Sequence, residues 1–163
     1  LPGGTSLTFT NVTTTFVGTI FAQGRALGNT TITVTAPGYV NGVSNVTVDP
    51  SGFILNAGNI TTTAGAANTT LRVDAALLTP GTLIYSQSQQ LRGGLTVNVP
   101  VTSSNTAVGM IVGSPAVFNP GDTLNAATVF DPAAQASTTI SVATPAGFSP
   151  PSNMHSITAT VNP

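Results

Sequence analysis

One histidine, four aspartates, three arginines and two tyrosines are all the titratable side chains that this 163-residue sequence offers to acid–base or metal chemistry; it has no Cys, Lys or Glu. Catalysis needs an acid, base or nucleophile held in place by neighbours. His155 is in phase with Ile157, Ala159 and Val161, so it is expected at the start of a strand on its inward face, as a rim or core histidine without catalytic work. Asp49 and Asp131 each precede a proline and Asp122 follows Pro120-Gly121, positions where a short carboxylate caps the local backbone. Calcium takes about six to eight oxygens, several of them anionic, and no two of these aspartates share an EF-hand-like spacing. A weak site built from Asp122, Asp131 and backbone carbonyls is the alternative to that turn role. The expectation is no metal, no cofactor and no catalytic residue. Arg72 and Asp74 stand two apart and read as a surface ion pair on one strand face.

Carbohydrate recognition leans on aromatic platforms, and the chain has no Trp, only Tyr39 and Tyr85. Tyr85 lies in the polar run Tyr85-Ser86-Gln87-Ser88-Gln89-Gln90, which makes it the candidate ligand contact. Asn-x-Ser/Thr sequons stand at Asn11, Asn29, Asn45, Asn59 and Asn68. They are candidate glycosylation sites, with unmodified asparagines, or O-linked sugar on Thr-rich faces, as the other readings.

Charged residues make up 4% of the sequence, against about 25% in an ordinary soluble domain, so Ser, Thr and Asn must keep it in water. The net charge is -1 and Arg25, Arg72 and Arg92 are scattered, which leaves nothing to neutralise a phosphate backbone and excludes nucleic acid as a partner. At 40% hydrophobic residues the chain departs from the low-hydrophobicity, high-charge signature of disorder. The apolar run from Ala107 to Phe118 is broken by Gly109, Gly113, Ser114 and Pro115 and falls short of the roughly 20 residues of a membrane span. The first residue is Leu1 and no leader pattern precedes the first strand pattern, so any secretion signal is expected outside this sequence.

The elements that would position these residues are strands. Leu71, Val73 and Ala75 alternate with Arg72 and Asp74; Leu95, Val97, Val99 and Val101 with Thr96, Asn98 and Pro100; Ile157, Ala159 and Val161 with Thr158 and Thr160. Period-2 alternation of this kind predicts half-buried strands. Further strands are expected over 6–12, 14–22, 30–35, 44–48, 107–112, 124–130 and 137–143, separated by turn pairs such as Pro37-Gly38, Pro80-Gly81 and Pro120-Gly121. Many short strands at such spacing predict a sandwich or barrel.

The chain also repeats itself. Leu1-Pro2-Gly3-Gly4-Thr5 matches Asn119-Pro120-Gly121-Asp122-Thr123, and Thr30-Thr31-Ile32-Thr33-Val34 matches Thr138-Thr139-Ile140-Ser141-Val142. Ala36-Pro37-Gly38-Tyr39 parallels Pro145-Ala146-Gly147-Phe148, suggesting an aromatic plug in each copy, and the tail ending at Pro50 parallels the one ending at Pro163. The offsets of roughly 108 to 118 residues suit one sandwich domain. Residues 1–50 therefore correspond to the C-terminal half of the unit that 51–163 completes. Their apolar positions, among them Leu7, Phe9, Phe16, Ile20, Ile32 and Val34, need an opposing sheet.

The segments Val101-Thr102-Ser103-Ser104-Asn105-Thr106-Ala107-Val108, Phe118-Asn119-Pro120-Gly121-Asp122, Ser137-Thr138-Thr139-Ile140-Ser141-Val142 and Ser156-Ile157-Thr158-Ala159-Thr160-Val161 resemble bacterial immunoglobulin-like repeats. Such repeats occur in tandem in large secreted and cell-surface proteins. The resemblance covers roughly residues 69–163 well and 1–50 in part, and its turn-and-strand motifs specify fold rather than activity. It implies an all-β, immunoglobulin-like antiparallel β-sandwich, one complete unit preceded by the C-terminal half of another, used as a spacer, stalk or adhesive module.

Exposed sheet edges are ordinarily guarded by Lys, inward charges or Pro, and this chain has little of the first two. Partner strands, neighbouring domains or glycans are expected to cover them. The reading that follows is a non-enzymatic structural module of an extracellular filament, fibre, sheath or surface stalk. Its partners would be other copies or adjacent repeats, assembled by sandwich stacking and strand complementation. The alternatives are an adhesive or carbohydrate-binding surface domain and a noncatalytic accessory domain of a secreted hydrolase.

Overall fold

The computed structural model describes residues 5–163; the Leu1–Gly4 end of the repeat match lies outside them. The described residues form strands and connecting turns with no helix, and hence none long and apolar enough to cross a membrane.

Residues 51–163 make a two-layer β-sandwich. One sheet has the order β3 (Ser51–Leu55), β5 (Thr69–Leu78), β11 (Leu124–Pro132), β9 (Gly109–Val112), with β6 (Tyr85–Ser88) also on β5. The other has the order β4 (Ile60–Thr63), β13 (Ser156–Asn162), β12 (Ala136–Val142), β8 (Val101–Ser103); β7 (Val97–Val99) and β10 (Ala116–Phe118) pair in a separate two-stranded sheet. Pairing is antiparallel except between β4 and β13, which run parallel with Ile60 opposite Ala159 and Thr63 opposite Asn162. Alternation explains the core: Leu71, Val73, Phe130, Ile140, Val142, Ile157, Ala159 and Val161 point inward and are buried. Phe53 anchors one end, its ring 4.9 Å from Phe118 and 4.8 Å from Phe148.

Close packing fixes one glycine in this core. A Cβ on Gly109 would overlap the Phe130 ring and sit 2.8 Å from the Asp131 carbonyl, so β9 reaches β11 only because that position is bare.

Outside the sandwich, β1 (Gly28–Val34) and β2 (Gly42–Val48) form an isolated antiparallel hairpin. Residues 5–27 form no strand, against the expectation for 6–12 and 14–22. The sequence repeat supplies the physical reason for the first. Thr5 aligns with Thr123, so 6–12 aligns with the β11 stretch 124–130, which is held between β5 and β9. Residues 5–50 contain no strand that could play either neighbour, and an extended segment without a neighbour makes no ladder.

Other boundaries moved for local reasons. The run from Leu95 to Val101 divides at Pro100, which has no N–H to donate. β3, β4 and β6 escape the alternation test: Phe53, Ile54 and Leu55 are buried on both faces, while Ile60-Thr61-Thr62-Thr63 and Tyr85-Ser86-Gln87-Ser88 carry little apolar signal.

Candidate functional site

The expected surface pair of Arg72 and Asp74 is instead a buried carboxylate with an exposed partner. Asp74 is fully buried although it faces away from the main core, because the loop and strand after β5 fold back over that face. Ile54, Ala76 and Leu78 form a second small core there, with Leu83, Tyr85 and Met154 packed on it. The Asp74 carboxylate accepts from Arg72 Nε at 2.6 Å, Arg72 Nη2 at 2.8 Å, Asn56 Nδ2 at 2.8 Å and Ser88 Oγ at 3.0 Å. Ser88 Oγ also lies 3.2 Å from Tyr85 Oη. Burial pushes the Asp74 pKa up, but the hydrogen bonds from Arg72, Asn56 and Ser88 and the Arg72 charge outweigh it and hold the group below its ordinary value. A carboxylate with both oxygens taken and a lowered pKa makes a poor general base. Its geometry clips β6 and the end of β3 to β5.

The other singled-out residues lie apart from one another. His155 is exposed rather than inward, and its carbonyl accepts from Val142 N at 3.0 Å; the parity shared with Ile157 fails because the residue precedes the strand. Asp122 Oδ2 accepts from Asn119 N at 2.7 Å in the Pro120-Gly121 turn. Among the described residues no three His, Cys, Asp or Glu side chains gather as a metal group. Tyr85 is half-buried on the second core. Asn11, Asn29, Asn45, Asn59 and Asn68 are all exposed; Asn59 Oδ1 accepts from Thr158 N and Asn29 Oδ1 from Thr47 Oγ1, each at 2.9 Å.

The larger feature is the open hairpin. Aligned on Thr30 with Thr138 and on Pro50 with Pro163, β1–β2 has the same register as β12–β13. Gly28 pairs with Val48 as Ala136 with Val161, Thr30 with Val46 as Thr138 with Ala159, and Ile32 with Ser44 as Ile140 with Ile157. The following turns agree too: Tyr39 N donates to Ala36 O at 3.2 Å with Gly38 at φ 80°, and Phe148 N to Pro145 O at 3.2 Å with Gly147 at φ 85°. The environments differ. Ile140, Val142, Ala159 and Val161 are buried, whereas Val34 is 61% exposed and Ile32, Val46 and Val48 are half-buried. Phe148 packs against Phe53 with the rings tilted by 57°, but its counterpart Tyr39 is 79% exposed, so the aromatic plug expected at both positions forms only at Phe148. Leu7, Phe16, Phe21, Val40 and Val43, also in the first 50 residues, are exposed as well.

These features define an all-β antiparallel sandwich carrying an extra, uncovered hairpin. No family model and no curated protein sequence matches the chain. Among solved structures it is similar to the crystal structure of domains 4 and 5 of the S-layer protein SbsC, with a TM-score of 0.51 and 16% sequence identity over 82% of this chain. The match spans 66% of that two-domain chain.

Proposed function

We propose that this chain is a non-enzymatic structural module of a cell-surface or extracellular layer, filament or stalk, in which 51–163 is one complete immunoglobulin-like repeat and 1–50 is the C-terminal half of another. The observation that carries the reading is the shared register and turn of β1–β2 and β12–β13: the two hairpins are the same part of a unit, once with its opposing sheet and once without. The similarity to an S-layer domain pair supports a tandem sandwich architecture, and the scarcity of charge supports contacts made by backbone ladders and by apolar and Thr-rich faces.

The test is sedimentation velocity with electron microscopy. The chain should associate through the apolar face of its open hairpin, Ile32 and Val34 with Val46 and Val48, leaving the hydrogen-bonding edge of β2 free, and that association should persist when salt is raised to about 1 M, where the Debye length falls to about 3 Å. Val34→Lys should weaken association while the sandwich stays folded, whereas Val142→Lys, in the buried equivalent, should unfold it. A monomer at every concentration, or dissociation by salt or a chelator, would overturn the assembly reading.

A further inference from the structure

The complete unit specifies what the open hairpin lacks. On β13 the outer edge is taken by β4 in parallel, Ile60 opposite Ala159, Thr61 opposite Thr160 and Thr62 opposite Val161. On β12 the outer edge is taken by β8, Ser103 opposite Ile140 and Val101 opposite Val142. Carried across the shared register, the free edge of β2 has Val46, Thr47 and Val48 where β13 has Ala159, Thr160 and Val161, and the free edge of β1 has Ile32 and Val34 where β12 has Ile140 and Val142. No charged residue lies between Arg25 and Asp49, so nothing on the hairpin opposes strand addition.

Resting on the half-unit reading above, we infer that β2 is an acceptor edge for a strand added in parallel, with an apolar residue opposite Val46 and Thr opposite Thr47. Its donor is a first-half segment of this repeat type, with the chemistry of residues 51–118. A second copy of the present chain is the wrong donor on stoichiometric grounds. Each chain carries two second halves, 1–50 and 119–163, and one first half, 51–118, which is already engaged by its own 119–163. Exchange among copies always leaves one second half per chain uncovered. The occupant is therefore an uncharged, apolar/Thr-alternating strand backed by an opposing sheet, supplied from outside this segment.

The test duplicates residues 51–118 ahead of Leu1, which joins the segments as Phe118 joins Asn119 in the complete unit. Amide hydrogen exchange is then followed residue by residue. The expected result is a gain of about tenfold or more in protection at Val46–Val48, loss of the open-face association, and reversal of the β2 gain by Ile60→Pro in the duplicated copy only. If β1 gains protection while β2 does not, the parallel-edge inference fails and the half-unit reading stands. If neither gains, both fail. Protection at Val46–Val48 that rises with concentration in the undivided original chain would make a second copy the occupant and overturn the inference. Should the duplicated chain fold poorly, a synthetic Asn56–Asn68 peptide titrated into the original chain should shift the Val46–Val48 resonances and leave Ala159–Val161 unmoved; the absence of any such shift counts against the proposal.

Discussion

Asp74 shows how a residue's partners decide its role. Two of its four hydrogen bonds come from Arg72, whose side chain is 46% exposed and can rehydrate if the pair is broken; Asn56 and Ser88 have less freedom because they tie β3 and β6 to β5. Asp74→Asn sets an amide donor against groups that donate, so a loss of about 1 to 3 kcal/mol is expected, read as a lower urea midpoint. The pH dependence follows from the lowered pKa. Ionised Asp74 is favoured in the folded state, so its contribution is complete above the ordinary carboxylate value near 4 and is lost as pH falls through the lowered folded value. The midpoint difference between parent and Asp74→Asn should hold constant from neutral pH down to about 5 and shrink in stronger acid; a difference that grows in acid would contradict the network. The Arg72–Asp74 pairing was legible in the two-residue spacing. Its burial was not, because alternation places Asp74 on the face away from the core and only the returning segment through Leu83 and Tyr85 makes that face a second interior.

At the scale of elements, the paired hairpins form an internal experiment. Ile32 and Ile140 share sequence context, register and strand direction, and differ in what lies above them. Ile140→Ala should cost about 2 to 5 kcal/mol, as for a fully buried aliphatic chain, while Ile32→Ala should move the sandwich transition by less than about 0.5 kcal/mol. Equal effects in chemical denaturation would mean that the two hairpins share one cooperative core. The strands most legible in the sequence were those with one wet face, β12 and β13 above all. β3 was invisible because it is buried on both sides, and 6–12 was overread because its alternation is that of β11 while its neighbours are missing. Local pattern records which face a strand would bury; it does not record whether the partner is present.

On the scale of the whole molecule, the parallel joining of β4 to β13 sets how a unit responds to being pulled. Once β3 has been drawn off β5, tension applied through the two ends of residues 51–163 draws β4 backward and β13 forward along their common axis. Their hydrogen bonds, extended by the Ala64 N to Asn162 O bond at 3.0 Å, are then strained together in shear. The β1–β2 hairpin is antiparallel and closed by a turn, so the same tension opens it one pair at a time. In single-molecule extension between handles at residues 5 and 163, residues 5–50 should lengthen without a force peak and, once β3 has left β5, the sandwich should resist until it gives way in one event, at a force that Ala64→Pro lowers. Forced unfolding is governed by the unfolding rate rather than by equilibrium stability. The resistance of this sparsely charged sandwich to tension thus comes from the common direction in which β4 and β13 run.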